Sequence, residues 1–226
     1  MTNYTSIKNI PKWPYLILIV LGFIYYGNSL KNGFSMDDDL VTSTPEFVHK
    51  NVEKGFSGII PIFKSRYATN ATQNYEYRPV TTASFAIQYA LFADADLEAE
   101  ARLKPKNQES IEYWQKQATI SHFISVLLYI ICCILVFILV YKIIPEYKLH
   151  VALLTAILFL IHPIHTEVVD NIKSRDELLV MFFGFSSLII LLKVMSGNLL
   201  PKKKIGFLTL GIVLLILSIF SKKSGF

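Results

Sequence analysis

The sequence predicts an all-α membrane protein, a polytopic helical bundle of about five transmembrane helices with one large extracytoplasmic loop that contains amphipathic helices. Three observations carry that prediction. Of 226 residues, 53% are hydrophobic and only 17% are charged, against about 25% charged in soluble domains; the mean hydropathy is +0.44. Five apolar runs approach or reach the roughly 17–25 residues that a spanning helix needs. The formal charge is +5, from 22 basic and 17 acidic residues. In so apolar a chain this points to basic loops beside a lipid bilayer and away from nucleic acid. The same composition excludes a soluble globule and a disordered chain. It excludes a disulfide scaffold too, because Cys132 and Cys133 are adjacent inside an apolar run and read as small hydrophobes.

Residues 1–13 read as a cytoplasmic N-terminus. The first span is Pro14 to Leu30, which lacks a small-residue cleavage site and reads as an anchor. Residues 31–117 form the long extracytoplasmic loop. Residues 118–226 hold the other spans, Ala118–Tyr141, Leu149–His165, Leu178–Val194 and Ile205–Phe220. The chain stops six residues past the last of these, so a longer polytopic protein continuing into further helices is expected. With the N-terminus inside, the short inner segments hold eight lysines: Lys8, Lys12, Lys142, Lys148, Lys193, Lys202, Lys203 and Lys204. The short outer segments hold four basic residues, Lys173, Arg175, Lys222 and Lys223. That asymmetry puts the long loop on the periplasmic or luminal side.

The loop begins with NGFSMDDDLVTSTPEF, residues 32–47, in which Asp37, Asp38 and Asp39 follow the first span closely. Three adjacent carboxylates repel one another and need a cation, a neutral partner or water. They read either as a general base or metal ligand at the membrane surface, or as a solvated run. VEKGFSGIIPIF, residues 52–63, is apolar but broken by Gly and Pro, fit to dip into the interface or to pack on other helices. Asn70-Ala71-Thr72 fits a glycosylation acceptor pattern. RPVTTASFAIQYALF, residues 78–92, reads as an amphipathic helix with Pro79 in its first turn. Its face of Val80, Ser84, Ile87 and Leu91, widened by Phe85, Tyr89 and Phe92, suits the membrane surface, and Arg78 would sit at headgroups. Residues 93–110 are charged and read as a solvated connector.

The densest constellation is HPIHTEVVDNIKSRDELL, residues 162–179. Ionisable groups at the end of a span are costly and are functional candidates. His162, His165 and Glu167 have ligand types suited to a divalent cation, although the spacing is not HExxH. Their other reading is phosphate binding together with Lys173 and Arg175, since Arg makes bidentate phosphate contacts. Asp176 and Glu177 would in the plainer reading pair with Lys173 and Arg175. The closing FSKKSGF offers two lysines, as a flank of the last span or as a lure for an anionic lipid group. No Gly-rich phosphate loop, CxxC or GxSxG is present.

In order, NGFSMDDD, YRPVTTASF, HPIHTEVVDNIKSRDELL and a final SKKSG resemble the transmembrane O-mannosyltransferases that carry C-terminal tetratricopeptide repeats, members of the polytopic GT-C glycosyltransferases. The resemblance runs from about Asn32 to Gly225 and is most specific in HPIHTE…SRDELL. It implies transfer of a mannose-like sugar from a polyprenyl-phosphate carrier to the hydroxyl of an acceptor protein. The location implied is a bacterial inner membrane with the site facing the periplasm, or the endoplasmic reticulum with the site luminal. It makes Asp37 and Asp38 the catalytic pair, one of them the general base. Arg78, His162, His165, Glu167 and Arg175 become donor-binding residues, with Arg175 foremost for the phosphate. It requires no cofactor; a divalent cation is compatible with it. Departures from the family pattern are the lysine at 223 where an acid is usual, the third aspartate, and the absence of the repeats. The competing readings are a transporter subunit, with charges near mid-membrane, and a non-catalytic membrane assembly protein, with the same residues scattered.

Overall fold

A computed structural model describes residues 10–35, 37–65, 77–144, 146–196 and 199–222. The Asn70-Ala71-Thr72 tripeptide, Lys8 and Lys223 lie outside the described residues. All regular structure among the described residues is helical: α1 (Trp13–Tyr26), α2 (Ile59–Lys64), α3 (Pro79–Phe92), α4 (Ala95–Leu103), α5 (Gln108–Ile143), α6 (Lys148–Leu160), α7 (His165–Val169), α8 (Arg175–Met195) and α9 (Pro201–Ser221). Short 3-10 turns at Gly27–Lys31, Asp38–Leu40 and Gly55–Gly58 link them. Among the described residues four helical segments are long and apolar enough to cross a membrane: Trp13–Lys31, Gln108–Ile143, Arg175–Met195 and Pro201–Ser221. The chain is thus an all-α integral membrane protein.

The expected span at Leu149–His165 is shorter than its apolar run. α6 has 13 residues, about 20 Å at 1.5 Å per residue. It stops at Leu160 because Pro163 has no amide proton to donate and holds His162 away from helical backbone. The chain then re-enters a helix only at His165. α5 departs in the other direction. Its 36 residues extend about 54 Å, well beyond a bilayer core of about 30 Å. The surplus first three turns project from the membrane and carry the loop.

Packing explains the bundle's pairings. α6 presents Ala152, Ala156 and Leu160, all fully buried, on one stripe against Tyr129, Ile130, Cys133 and Phe137 of α5 and Leu18 and Tyr26 of α1. Both cysteines are buried and free, as small hydrophobes are. α8 and α9 hold each other through polar side chains, with Ser187 Oγ donating to the Gly211 carbonyl at 2.7 Å and Ser218 Oγ to the Val180 carbonyl at 3.0 Å. Such contacts substitute for a hydrophobic driving force that lipid does not supply.

The extramembrane layer is more regular than the sequence suggested. The charged connector is helix α4, begun by Asp94, whose carboxylate accepts from the amides of Asp96 and Leu97 at 3.1 Å. Arg102 in its last turn pairs with Glu98 at 2.7 Å and Glu53 at 3.1 Å, donates to the Thr44 carbonyl, and lies over the Trp114 ring. One guanidinium thus ties residues 44–53 to α4 and to the projecting start of α5. α3 forms, but the face expected for it divides: Ile87 and Leu91 are exposed, Val80 and Ser84 are half-buried, and Phe85 turns inward. Its other side, Thr81, Phe85 and Gln88, is buried and docks into the bundle.

Candidate functional site

The helices alternate in direction, so the end of α1, the starts of α5 and α8, and the ends of α6 and α9 meet at one end of the bundle. There Asp38 sits in the turn after α1, 1% exposed. Its Oδ2 accepts the Ser35 amide at 2.7 Å and its Oδ1 accepts the Lys173 amide at 2.9 Å. Burial pushes its carboxyl above the usual carboxylate range, and these two amides pull against that. Asp37 points the other way. Its side chain is 55% exposed, and its Oδ2 lies 2.9 Å from Lys173 Nζ. Lys173 therefore engages both aspartates, one through its backbone and one through its ammonium. The acidic turn is thus in direct contact with Lys173, 135 residues on and next to SRDELL.

Arg175 begins α8 and is 1% exposed. Its Nη2 donates to Gln88 Oε1 at 2.7 Å and to the Ser121 carbonyl at 3.3 Å. Its guanidinium carbon lies 3.8 Å from the Phe85 ring centroid, a cation–π contact. Gln88 passes the chain of bonds to Ser121 Oγ at 2.7 Å. His122, one residue on, is buried with its Nε2 3.3 Å from the Gly33 carbonyl. Arg175, expected as the foremost phosphate contact, is thus enclosed by protein.

The cations that do reach the rim belong to other residues. Arg78, before α3, bonds the buried Asp176. Lys222, just past α9, lies 3.5 Å from Asp176 and 2.6 Å from Glu177. The plainer expectation, that Asp176 and Glu177 pair with Lys173 and Arg175, gives way to this arrangement, because α8 turns Asp176 toward α3 and α9. Thr81 Oγ1 donates to the Ser221 carbonyl at 2.8 Å and Tyr77 packs edge-on against Phe220. These contacts fix α3 to the end of α9 and bring Arg78 and Lys222 to the same acid.

His162, His165 and Glu167 form a separate group. His165 Nδ1 lies 2.8 Å from the Phe159 carbonyl and 2.9 Å from Tyr129 Oη. A carbonyl only accepts, so Nδ1 carries the proton in the first bond. Burial holds the His165 imidazole below its ordinary value. His162 and Glu167 are exposed. Among the described residues no hydrogen bond or ion pair joins these three to Asp37 or Asp38. Nor do three His, Cys, Asp or Glu side chains converge there as a metal site.

The residues that the sequence did not single out are Gln88, Ser121 and His122. A lone histidine or glutamine on an otherwise apolar helix face was the available signal, since polar groups in such places need partners.

No family model matches the chain, and no solved structure does. A protein O-mannosyl-transferase of Caenorhabditis elegans is 27% identical over 219 residues, which cover 93% of this chain and 26% of that protein. The chain thus spans about a quarter of the length of the curated relative it matches.

Proposed function

We propose that this chain forms the sugar-transfer end of an integral-membrane glycosyltransferase of GT-C type. It would move a mannose-like sugar from a polyprenyl-phosphate carrier to a protein hydroxyl on the extracytoplasmic face. The observation that carries the reading is the meeting of Asp37, Asp38 and Lys173 at the same end of the bundle that gathers Arg78, Asp176 and Lys222. The similarity to a protein O-mannosyl-transferase supports the same chemistry. A transporter would set its charges near mid-membrane, whereas here they gather at the helix ends.

The proposed roles follow accessibility. Asp37 is the general base: it removes the proton from the acceptor hydroxyl as that oxygen bonds the anomeric carbon and the carrier phosphate leaves. Asp38 holds the turn that aims it, and the Lys173 ammonium, 2.9 Å away, fixes the position of the Asp37 carboxylate. Asp176 holds Arg78 and Lys222 together, and this paired positive charge stabilises the carrier phosphate as charge develops on it. Arg175 acts from within by locking α3, through Gln88, against α5 and α8. His165, tied to Tyr129 and Phe159, holds the loop between α6 and α8, with His162 and Glu167 at its exposed edge.

The test is Asp37→Asn in the full-length protein, assayed with a polyprenyl-phosphate mannose donor. Transfer should fall by at least about 10²-fold, the range for losing a general base, with membrane insertion unchanged. Transfer at the wild-type rate would overturn the assignment.

A further inference from the structure

The sugar-transfer reading leaves one large groove unused. It lies between the end of α3, helix α4 and the projecting start of α5, and encloses about 620 Å³, within the roughly 300–1,000 Å³ of ligand sites. Leu91, Phe92 and Leu97 line it and are all exposed. Its rim carries Asp94, Glu100, Glu109 and Glu112 against a single Lys116. All of these are exposed, and Glu100 also meets Lys104 at 2.9 Å. On a chain of net charge +5 the groove reverses the sign locally. Anionic lipid headgroups are repelled by such a rim, so the bilayer is a poor cover for these apolar side chains. A polypeptide that sets Lys or Arg beside Leu or Val satisfies the rim and the floor together.

The groove also leads inward. Ala93, Tyr113 and Gln117 line it and equally line a smaller cavity that reaches Phe85, Gln88 and Ser121, the residues packed around Arg175. We propose that the groove seats a basic, apolar stretch of the acceptor polypeptide and so selects the substrate. The word acceptor rests on the sugar-transfer reading; the binding itself does not.

The experiment uses the full-length protein in nanodiscs without donor. The probe is a fluorescent peptide of alternating Lys and Leu with a central Thr, and its control carries Glu in place of Lys. The Lys peptide should bind at least about tenfold more tightly, as expected where charge complementarity sets specificity. Glu109→Lys with Glu112→Lys, two exposed positions, should erase that preference. A benzophenone side chain at position 97 should crosslink to the peptide. Equal binding of the two peptides, an unaltered preference in the reversed variant, or crosslinks to lipid alone would overturn the proposal. With donor added, the reversed variant should raise KM for the basic acceptor and leave donor KM unchanged. No transfer by wild type, with peptide binding intact, sinks the sugar-transfer reading and leaves a peptide-binding groove.

Discussion

Adjacent aspartates of one motif have opposite surroundings. Asp37 is open and faces an ammonium, whereas Asp38 is enclosed and bonded to two backbone amides. The sequence shows three equal carboxylates and no way to rank them, because exposure here is set by residues of the turn before α8, far along the chain. Arg175 makes the same point in reverse. Its place beside Lys173 in an outer turn reads as accessible, and only the docking of Phe85 and Gln88 makes it internal. Burial raises the Asp38 carboxyl, so ionising it costs the folded state. That cost is absent below the ordinary value of 3.8 and grows as pH rises through the raised folded value. The thermal stability of wild type relative to Asp38→Asn should therefore decline as pH rises from about 3.8. A margin that grew with pH would mean that the Ser35 and Lys173 amides outweigh burial.

The helices were legible wherever one physical signal dominated. The long apolar runs gave α1, α5, α8 and α9, and Pro79 marked the start of α3. α4 was hidden because its stabilisation is capping by Asp94 and pairing through Arg102, neither of which leaves an apolar period. The early stop of α6 was visible in Pro163 but was masked by the apolar residues that flank it. Close approach of helices is likewise written in small residues. A Cβ at Gly22 would overlap the Ile130 side chain, whereas one at Gly27 would meet nothing within 4 Å. Gly22 therefore sets the α1–α5 distance. Gly22→Ala should lower stability in detergent by about 1–3 kcal/mol, the cost of overpacking, unless Ile130 swings clear. Gly27→Ala, on the same segment, should leave the melting temperature unchanged, and equal effects at the two positions would remove the packing argument.

At the scale of the whole molecule, the site depends on a sorting of charge between the two ends of the bundle. Lys142 lies in the last turn of α5, Lys148 begins α6, and Lys202 to Lys204 lie in the first turn of α9. The opposite end holds two groups, Asp37 and Asp38 with Lys173, and Asp176 with Arg78 and Lys222. Apolar composition made the spans legible, and alternation of direction then predicted which loops share an end. What remained hidden was which charges touch, since that depends on the rotation of α8 and on the polar side of α3. If the lysine-rich end is cytoplasmic, an impermeant maleimide added to intact spheroplasts will label Lys104→Cys at once. It will label Lys203→Cys only after lysis, while the enclosed Cys132 and Cys133 stay silent in both. Labelling of both variants before lysis would show that the bundle does not span. The reverse order would turn the acidic turn toward the cytoplasm, where an extracytoplasmic acceptor could not reach Asp37.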